Sequence, residues 1–399
     1  MSSIFDSVEL APRDPTLGIN EQFSQETRPN KVNLGVGVYY DDRGRLPLLD
    51  AVHQAELNIT QEAAARGYLP IEGIPGYNQG AQRVLLGDNS PAIQEGRALT
   101  AQTLGGTGAL KIGADFLQRL LPNSTVVVSD PTWQNHVGVF ENAGFTVGTY
   151  PYYDAAANQL DFDAMLAALQ KLPQHTIVVL HACCHNPTGM DPTPEQWDQI
   201  IKAVKDRQLV PFMDIAYQGF GEGLDKDAAV VRKFVDHDLT LLVSSSFSKS
   251  FSFYGERVGA LTLITSSQEE SERVLSQLKR MIRTNYSTPP IHGAKVVAKV
   301  LNTPKLFSLW ENELAAMRQR IQKMREALVQ ALKDHGVTQD FSFILEQRGM
   351  FSYSGLTASQ VDELREKHAI YAISSGRICI AALNSENIDY VAQAIAEVL

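Results

Sequence analysis

A lysine in an apolar, serine-rich segment is the residue of this sequence best suited to covalent chemistry. Lys249 lies in LLVSSSFSKSFSFYGERVGAL, with Ser246 and Ser248 before it and Arg257 eight positions after it. Most lysines are solvated surface charges, and that interpretation applies to Lys249 as well. Desolvation and a nearby cation, however, lower the pKa of a lysine and make its amine a nucleophile that forms Schiff bases. The serines and the arginine are suited to binding a phosphate group.

A glycine-rich turn offers a second group for binding an anion. Gly105, Gly106 and Thr107 in LGGTGAL precede a predicted helix, so their backbone N–H groups and the helix dipole favour an anion. A simple glycine turn capped by Thr107 explains the segment equally well. The segment matches neither GxGxxG nor GxxxxGK[ST], which disfavours a dinucleotide site and a P-loop.

Two polar residues follow apolar runs further along the chain. Asp214 ends VPFMD and precedes Tyr217, and Asn186 lies in the turn HNPTG. A carboxylate at the end of a strand is most often a turn or helix cap. A buried carboxylate can instead keep a proton on a ring nitrogen of a cofactor. Asn-Pro is a frequent turn dipeptide, so Asn186 by itself indicates only a turn.

Alternating elements position these residues. Six runs predict strands: Thr125–Ser129, Phe145–Tyr150, Thr176–Ala182, Leu209–Asp214, Thr240–Ser244 and Gly259–Thr265. Four stretches predict helices: Gly108–Leu120, Asn135–Ala143, Phe162–Gln170 and Pro194–Arg207. This alternation implies crossover connections and a mainly parallel sheet covered on both faces. Ligands of such sheets bind at the carboxyl ends of the strands.

The pattern changes after about residue 285. An amphipathic stretch predicts a long helix over Glu311–His335, ended by Gly336. The following elements are a strand, a helix and a last strand: Gly349–Ser354, Ala358–His368 and Arg377–Ala382. These elements predict a second, smaller α+β domain. Periodicity does not assign the first 45 residues to either domain.

The composition is that of an ordinary globular protein. The 399 residues are 44% hydrophobic and 20% charged, which excludes disorder, collagen and coiled coil. The net charge of −10 argues against general binding of nucleic acid or of anionic membranes. Cys183, Cys184 and Cys379 lack the spacing of a disulfide framework or of a zinc site, so no metal is expected. The sequence shows no signal peptide and no apolar run of membrane-spanning length, and we expect a cytoplasmic protein.

Seven segments together carry a resemblance to a known family. In chain order they are GGTGAL, HNPTG, DIAYQGFG, SFSKSFSFYGERVG, RTNYSTPP, QRGMFSYSGL and SGRICIAAL. The combination resembles the class I pyridoxal-phosphate aminotransferases, above all the bacterial aspartate and aromatic-amino-acid members. It extends from NLGVGVYYDDRG to the last strand. The resemblance implies the α/β fold of type I pyridoxal-phosphate enzymes. A large domain (46–315) with a mainly parallel seven-stranded sheet flanked by helices would be joined to a small α+β domain (13–45 and 316–399) and an N-terminal arm (1–12).

The resemblance also implies a role for each matching residue. Lys249 would form the Schiff base with pyridoxal phosphate and transfer protons, Asp214 would bind the pyridine nitrogen, and Tyr217 would assist catalysis from the phenolic oxygen. The remaining cofactor contacts would be Asn186 at the phenolic oxygen, Trp133 on the ring, and Gly106, Thr107, Ser246, Ser248, Arg257 and the neighbouring subunit's Tyr68 at the phosphate. Arg377 would bind the substrate α-carboxylate and the neighbouring subunit's Arg283 a side-chain carboxylate. Gly37, Trp133 and Asn186 would complete the substrate site of a homodimer.

The choice between substrates rests on other segments, because both subfamilies share these residues. YLPIEG, KVNLGVGVYYDDRGRLP, VVSDPTW and FSFYGERVG are closer to bacterial tyrosine aminotransferases. We therefore expect an aromatic-amino-acid aminotransferase that moves the amino group of tyrosine, phenylalanine or aspartate to 2-oxoglutarate by a ping-pong mechanism. The alternative is a dedicated aspartate aminotransferase. A β-lyase or decarboxylase of the same fold stays open, whereas intact Lys249, Asp214 and Arg377 disfavour a binding protein without catalysis.

Overall fold

The computed structural model describes residues 3–12, 14 and 17–399 of the chain. The predicted N-terminal arm and small domain also include residues 1, 2, 13, 15 and 16, which lie outside the described residues. Within the described part, no helix is both long and apolar enough to cross a membrane.

Strands and helices alternate through most of the chain. The strands are β1 (Val32–Asn33), β2 (Ala98–Leu104), β3 (Thr125–Asp130), β4 (Thr146–Pro151), β5 (Tyr153–Asp154), β6 (Gln159–Leu160), β7 (Ile177–His181), β8 (Val210–Ile215), β9 (Leu241–Ser246), β10 (Val258–Ile264), β11 (Phe351–Tyr353), β12 (Ile370–Tyr371) and β13 (Arg377–Cys379). The helices of the first half are α1 (Leu17–Gln25), α2 (Asp50–Glu62), α3 (Pro75–Leu86), α4 (Pro91–Gln94), α5 (Gly105–Leu120), α6 (Asn135–Asn142), α7 (Phe162–Leu169) and α8 (Pro194–Asp206). Those of the second half are α9 (Leu224–Asp236), α10 (Gln268–Tyr286), α11 (His292–Asn302), α12 (Pro304–Asp334), α13 (Ala358–His368) and α14 (Ile388–Val398).

Among the described residues, seven strands form the central sheet in the order β2-β10-β9-β8-β7-β3-β4. All of them run parallel except β10, which is antiparallel to both β2 and β9. Successive side chains of β3 enter opposite apolar clusters, since Val126 and Val128 pack in one and Val127 packs in the other. Both faces of the sheet are therefore covered, and the predicted α/β fold with a mainly parallel seven-stranded sheet is confirmed.

One strand of the sheet is absent from the six that the apolar runs predict. β2 has the sequence ALTAQTL, in which polar Thr100, Gln102 and Thr103 are nevertheless buried. The Thr100 and Thr262 hydroxyls lie 2.8 Å apart, and Gln102 donates to the Pro290 carbonyl oxygen at 2.7 Å. The polar residues of β2 are buried because residues distant in the sequence bind them. The local sequence, which mixes polar and apolar residues, therefore did not predict this strand.

The C-terminal part is organised around α12. This helix begins at Pro304, earlier than the predicted Glu311, because proline is tolerated in the first helical turn. α14 packs on α12, β11 pairs with β13, and β1 pairs with β12 near the C-terminus. The predicted strand Arg377–Ala382 is shorter, because Ile380–Ala382 forms a 3₁₀ turn in which the N–H groups of Ile380 and Ala381 both point to the Met350 carbonyl oxygen. The division into two domains stays a prediction.

Candidate active site

A cavity of about 190 Å³ lies at the carboxyl ends of β7, β8 and β9, beside the N-terminus of α5. Of the residues predicted for the site, all except Tyr68 and Arg283 line it: Gly37, Gly106, Thr107, Trp133, Asn186, Asp214, Tyr217, Ser246, Ser248, Lys249, Arg257 and Arg377. The cavity is also lined by four residues that sequence reasoning did not assign to it: His181, Cys183, Ala216 and Phe351. The parallel strands thus bring together segments that are more than 300 residues apart.

Lys249 follows β9 and contributes the amine of the site. Its Nζ lies 5.1 Å from the centre of the Tyr217 ring. Burial lowers the pKa of Lys249 to about 8; the carboxylate of Asp214 opposes this shift, and the cations of Arg257 and Arg377 add to it. At pH 7 about a tenth of the amine is therefore unprotonated, far more than for an ordinary lysine, which suits Lys249 to attack a carbonyl carbon and to accept a proton.

Asp214 near the end of β8 is a buried carboxylate with one oxygen engaged and one unpartnered. Its Oδ2 lies 2.9 Å from His136 Nε2, while its Oδ1 is buried without a hydrogen-bond partner among the described residues. Burial by itself would raise the pKa of Asp214, but the hydrogen bond from His136 and the charge of Lys249 hold it below its ordinary value. An ionised oxygen that is unpartnered in a residue lining the cavity fits the protonated ring nitrogen of pyridoxal phosphate.

A chain of hydrogen bonds orients His136 toward Asp214. His136 Nε2–H donates a hydrogen bond to Asp214. In the neutral imidazole, Nδ1 is then the acceptor for the Thr132 hydroxyl, 2.9 Å away. Thr132 Oγ1 also lies 3.3 Å from His181 Nε2, and His181 Nδ1 accepts the backbone N–H of Asn186 at 3.2 Å. The network connects the Asp214 carboxylate with the turn that carries Asn186.

The N-terminus of α5 and the segment around Arg257 form the anion-binding end. Arg257 Nη1 donates to Ser248 Oγ at 3.2 Å, and the Gly105 N–H donates to the Arg257 carbonyl oxygen at 2.9 Å. Gly105 has a φ of +67°, and a Cβ there would lie 2.6 Å from Arg257 Nη2. With Gly106, Thr107 and Ser246 at the same end, a guanidinium and a helix N-terminus converge on one point, which fits a phosphate group.

Arg377 on β13 lines the cavity beside Asn186. The guanidinium is buried; Nη1 donates to Asn186 Oδ1 at 3.1 Å and Nη2 to the Gly35 carbonyl oxygen at 2.6 Å, while Nε has no partner among the described residues. Among the residues that the structure describes, no carboxylate lies within ion-pairing distance of Arg377. A buried arginine in this state can bind an incoming carboxylate, since its charge is otherwise uncompensated.

The Phe351 ring covers Arg377 on one side, 4.1 Å from the guanidinium carbon. A Cβ at Gly37 would lie 2.6 Å from Phe351 Cζ, so a larger residue at position 37 would displace the ring. Phe351 lies in QRGMFSYSGL, one of the segments that carry the resemblance, but sequence reasoning assigned it no role in the site. The two histidines of the network behind Asp214 were also not predicted. His136 directly follows DPTWQN, and His181 is the first residue of HACCH. The presence of histidines next to these motifs is the hint that the sequence offers.

Tyr68 and Arg283 lie outside the cavity of their own chain. Tyr68 is 96% exposed, and Arg283 is an exposed residue at the end of α10 that donates to the Ser287 hydroxyl. Tyr68 borders a surface groove between residues 59–69 and residues 288–295. Their assignment to a neighbouring subunit's site therefore stays a prediction.

The neighbouring cysteines, Cys183 and Cys184, are buried. Cys183 lines the cavity, and its hydrogen bond with Cys184 together with burial raises the pKa of its thiol well above the ordinary value. The two sulfur atoms and a carboxylate oxygen of Asp227 lie within 4.8 Å of one another. Asp227 also accepts the N–H groups of Gly219, Gly221 and Glu222. Its position is thus explained by the loop that it stabilises.

Comparison with known proteins agrees with this geometry. Residues 29–395 match the family model described as aminotransferase class I and II. An aspartate aminotransferase of Pseudomonas aeruginosa is 58% identical, with 100% of both chains covered. The crystal structure of an aromatic-amino-acid aminotransferase from Burkholderia pseudomallei, covalently bound to pyridoxal phosphate, is 61% identical with a TM-score of 0.98 and covers 100% of both chains. A psychrophilic aromatic-amino-acid aminotransferase from Psychrobacter sp. B6, cocrystallised with aspartic acid, is 47% identical with a TM-score of 0.97 and 99% of both chains covered.

Proposed function

The chain belongs to the class I and II aminotransferases and depends on pyridoxal phosphate, and on this basis we propose that it is an aromatic-amino-acid aminotransferase. It moves the amino group of tyrosine, phenylalanine or aspartate to 2-oxoglutarate in two half-reactions. The observation that carries the aromatic preference is the 61% identity over the whole chain to the Burkholderia pseudomallei enzyme, which is named for aromatic substrates. The Psychrobacter relative, named likewise, was crystallised with aspartic acid, which supports a site that takes both kinds of substrate.

The phosphate and the ring of the cofactor would be held by different parts of the cavity. Gly106, Thr107, Ser246, Ser248 and Arg257 would bind the phosphate, and the free Oδ1 of Asp214 would keep a proton on the ring nitrogen. Trp133 would hold the ring, and Asn186 and Tyr217 would contact the phenolic oxygen. Once bound, pyridoxal phosphate supplies an electron sink for the charge that develops on the substrate α-carbon.

Lys249 and Arg377 act on the substrate itself. Lys249 Nζ would hold the cofactor covalently, and as a free amine it would take the proton from the substrate α-carbon, which its lowered pKa favours. Arg377 fixes the α-carboxylate with its two-pronged guanidinium, and its bond to Asn186 ties this contact to the phenolic-oxygen end of the cavity. Intact groups at both ends support transamination with a free amino acid.

The active unit of the proposal is a homodimer, because Tyr68 and Arg283 cannot serve the cavity of their own chain from where they lie. Arg283 of one subunit would bind the side-chain carboxylate of a substrate in the other. Within the described residues Arg283 donates to the Ser287 hydroxyl, and no carboxylate lies within ion-pairing distance of it. Moving the guanidinium aside for an aromatic ring therefore breaks no ion pair.

The test compares two arginine variants with two substrates. Arg377→Leu should damage turnover of aspartate and phenylalanine alike, because every substrate has an α-carboxylate. Arg283→Leu should lower kcat/KM for aspartate by about a hundredfold or more, since a charged hydrogen-bonded pair is lost, and change that for phenylalanine by less than about tenfold. Equal losses for both substrates in Arg283→Leu would contradict its role as the reader of the side chain.

A dedicated aspartate aminotransferase is the second candidate, favoured by the 58% identity to the Pseudomonas aeruginosa enzyme of that name. Steady-state kinetics of the wild type separate the two. Values of kcat/KM for tyrosine and phenylalanine that reach or exceed that for aspartate support the proposal. Aromatic values lower by more than about a hundredfold, the discrimination that a dedicated side-chain pocket achieves, would favour the second candidate.

A further inference from the structure

Arg325 of α12 is a buried cation. Its side chain is 3% exposed, and among the described residues it takes part in no ion pair. Burial lowers the pKa of Arg325 to about 10, so it is still charged at neutral pH. A buried charge without a counter-ion is costly unless its donors are engaged, which raises the question of what Arg325 holds in place.

The hydrogen bonds of Arg325 all go to one short segment. Nη2 donates to the carbonyl oxygens of Gly349 at 2.6 Å and Phe351 at 2.7 Å, and Nη1 donates to the hydroxyl of Ser352. Residues 349 and 351 are two apart, and in a strand such residues direct their backbone groups to the same edge. Arg325 therefore binds the edge of β11 that faces away from β13.

A second side chain continues the same edge. The Gln347 amide donates to the Tyr353 carbonyl oxygen and accepts the Tyr353 N–H, both at 3.1 Å. In the described chain β11 pairs with β13 alone. Arg325 and Gln347 together supply the hydrogen bonds that a neighbouring strand would otherwise make, and so fix the position of β11 along its own axis.

β11, the strand that Arg325 binds, carries Phe351, and Phe351 contacts Arg377. Phe351 lies over the Arg377 guanidinium, and its ring is edge-on to that of Tyr217 with 5.8 Å between centres. Tyr353 of β11 is paired with Arg377 of β13 in the sheet register. A displacement of β11 would move the ring that packs on Arg377 and the strand that carries Arg377.

We propose that Arg325 is a positioning residue for the substrate α-carboxylate site. It fixes β11 so that Phe351 holds the Arg377 guanidinium in the orientation that receives a carboxylate. The inference rests on the proposed role of Arg377. An arginine suits this role because two nitrogens of one planar group donate to three acceptors, whereas an ammonium group donates from a single atom and an apolar side chain does not donate.

The experiment measures binding of two substrate-like acids to the holoenzyme by isothermal titration calorimetry. Succinate has two carboxylates, whereas 3-phenylpropionate has one carboxylate and an aromatic ring. Arg325→Met should raise the Kd of both acids by the same factor, about tenfold or more, because small misplacements of a positioning group have effects of this size or larger. The visible spectrum of the bound cofactor should be unchanged, and KM should change more than kcat.

Conservative and control variants separate positioning from general stability. Arg325→Lys keeps the charge and some of the donors and should recover part of the lost affinity. Lys323→Met removes a charge from an exposed position of the same helix and should leave both Kd values at the wild-type level. If Arg325→Met does not fold, Phe351→Leu removes the contact between the Phe351 ring and Arg377 instead. This variant should weaken the binding of both acids by the same factor.

The outcomes distinguish the inference from the function on which it rests. If Arg377→Leu weakens both acids while Arg325→Met and Phe351→Leu bind them like the wild type, the positioning role of Arg325 is wrong and the role of Arg377 stands. If Arg377→Leu itself binds both acids normally, the proposed α-carboxylate site is wrong. A loss confined to succinate in Arg325→Met would also contradict the inference.

Discussion

At the scale of single residues, the state of Lys249 is set by opposing influences. Burial and the two arginines disfavour its protonated form, and Asp214 favours it, with a resulting pKa of about 8. The ordinary value for lysine is 10.5. The folded protein without cofactor thus binds this proton less tightly than the unfolded chain does, and its free energy of unfolding gains a contribution that rises between pH 8 and 10.5.

This balance predicts the pH dependence of covalent cofactor capture. Only the neutral amine attacks an aldehyde, so the rate at which the protein without cofactor captures pyridoxal phosphate should increase as the pH rises through about 8. Asp214→Asn removes the charge that opposes the shift and should move the midpoint to lower pH. Stopped-flow absorbance measures the rate, with Lys249→Ala as the control that captures nothing. A midpoint that stays put or moves upward in Asp214→Asn would show that the carboxylate does not act on the amine.

At the scale of elements, the turn that joins β2 to α5 depends on a residue without a side chain. Gly105 adopts a left-handed backbone conformation and approaches Arg257 closely. Any other residue there would be strained, by roughly 1 to 2 kcal/mol, and would push the guanidinium away from the phosphate end of the cavity. The connection from β2 to α5 and the position of Arg257 therefore both depend on glycine at position 105.

The turn predicts the effect of adding one methyl group. Gly105→Ala should weaken binding of pyridoxal phosphate about tenfold or more, from the backbone strain and the displaced arginine together. Gly255→Ala is the matched control, because a Cβ at Gly255 meets nothing within 4 Å. The affinities are measured by titrating the cofactor-free form of each variant with pyridoxal phosphate. Equal affinities would show that the close approach at Gly105 is unimportant for the phosphate.

Sequence reasoning succeeded where the local pattern and the tertiary role agree. The apolar strands and the polar residues at their ends predicted the sheet, and all but two of the expected site residues line one cavity. It failed for β2 and for Phe351. The polar residues of β2 are satisfied by partners such as Thr262, and Phe351 matters because of what lies opposite it in space. Both contacts join residues that are distant in the sequence, so the local pattern does not predict them, even though Phe351 lies within the segment QRGMFSYSGL.

At the scale of the whole molecule, the sharing of active sites is the central expectation. Tyr68 is almost fully exposed beside an open groove. Exposed apolar side chains also occur near the N-terminus, at Ile4, Phe5 and Val8. Such surfaces are typical of interfaces between subunits, and a symmetric dimer would give each cavity the missing tyrosine and arginine.

Mixed dimers test the sharing directly. A chain with Arg283→Leu keeps Lys249, and a chain with Lys249→Ala keeps Arg283, so a heterodimer should contain one complete site. Subunit exchange between the impaired Arg283→Leu sample and the inactive Lys249→Ala sample should raise turnover of aspartate well above that of either sample alone. Replacing the second chain by the double variant Lys249→Ala, Arg283→Leu should restore none. Absence of recovery in the first mixture, with exchange demonstrated by mass spectrometry, would contradict sharing.

The length of α12 has a consequence for evolution. Its Trp310 donates to the Ser250 carbonyl oxygen, next to Lys249, and its Arg325 holds β11. The two anchors are separated by roughly 22 Å of continuous helix, and one inserted residue would rotate one of them by about 100° relative to the other. Insertions and deletions between them should therefore be purged by selection, while the surface loops of the same gene remain free to change in length.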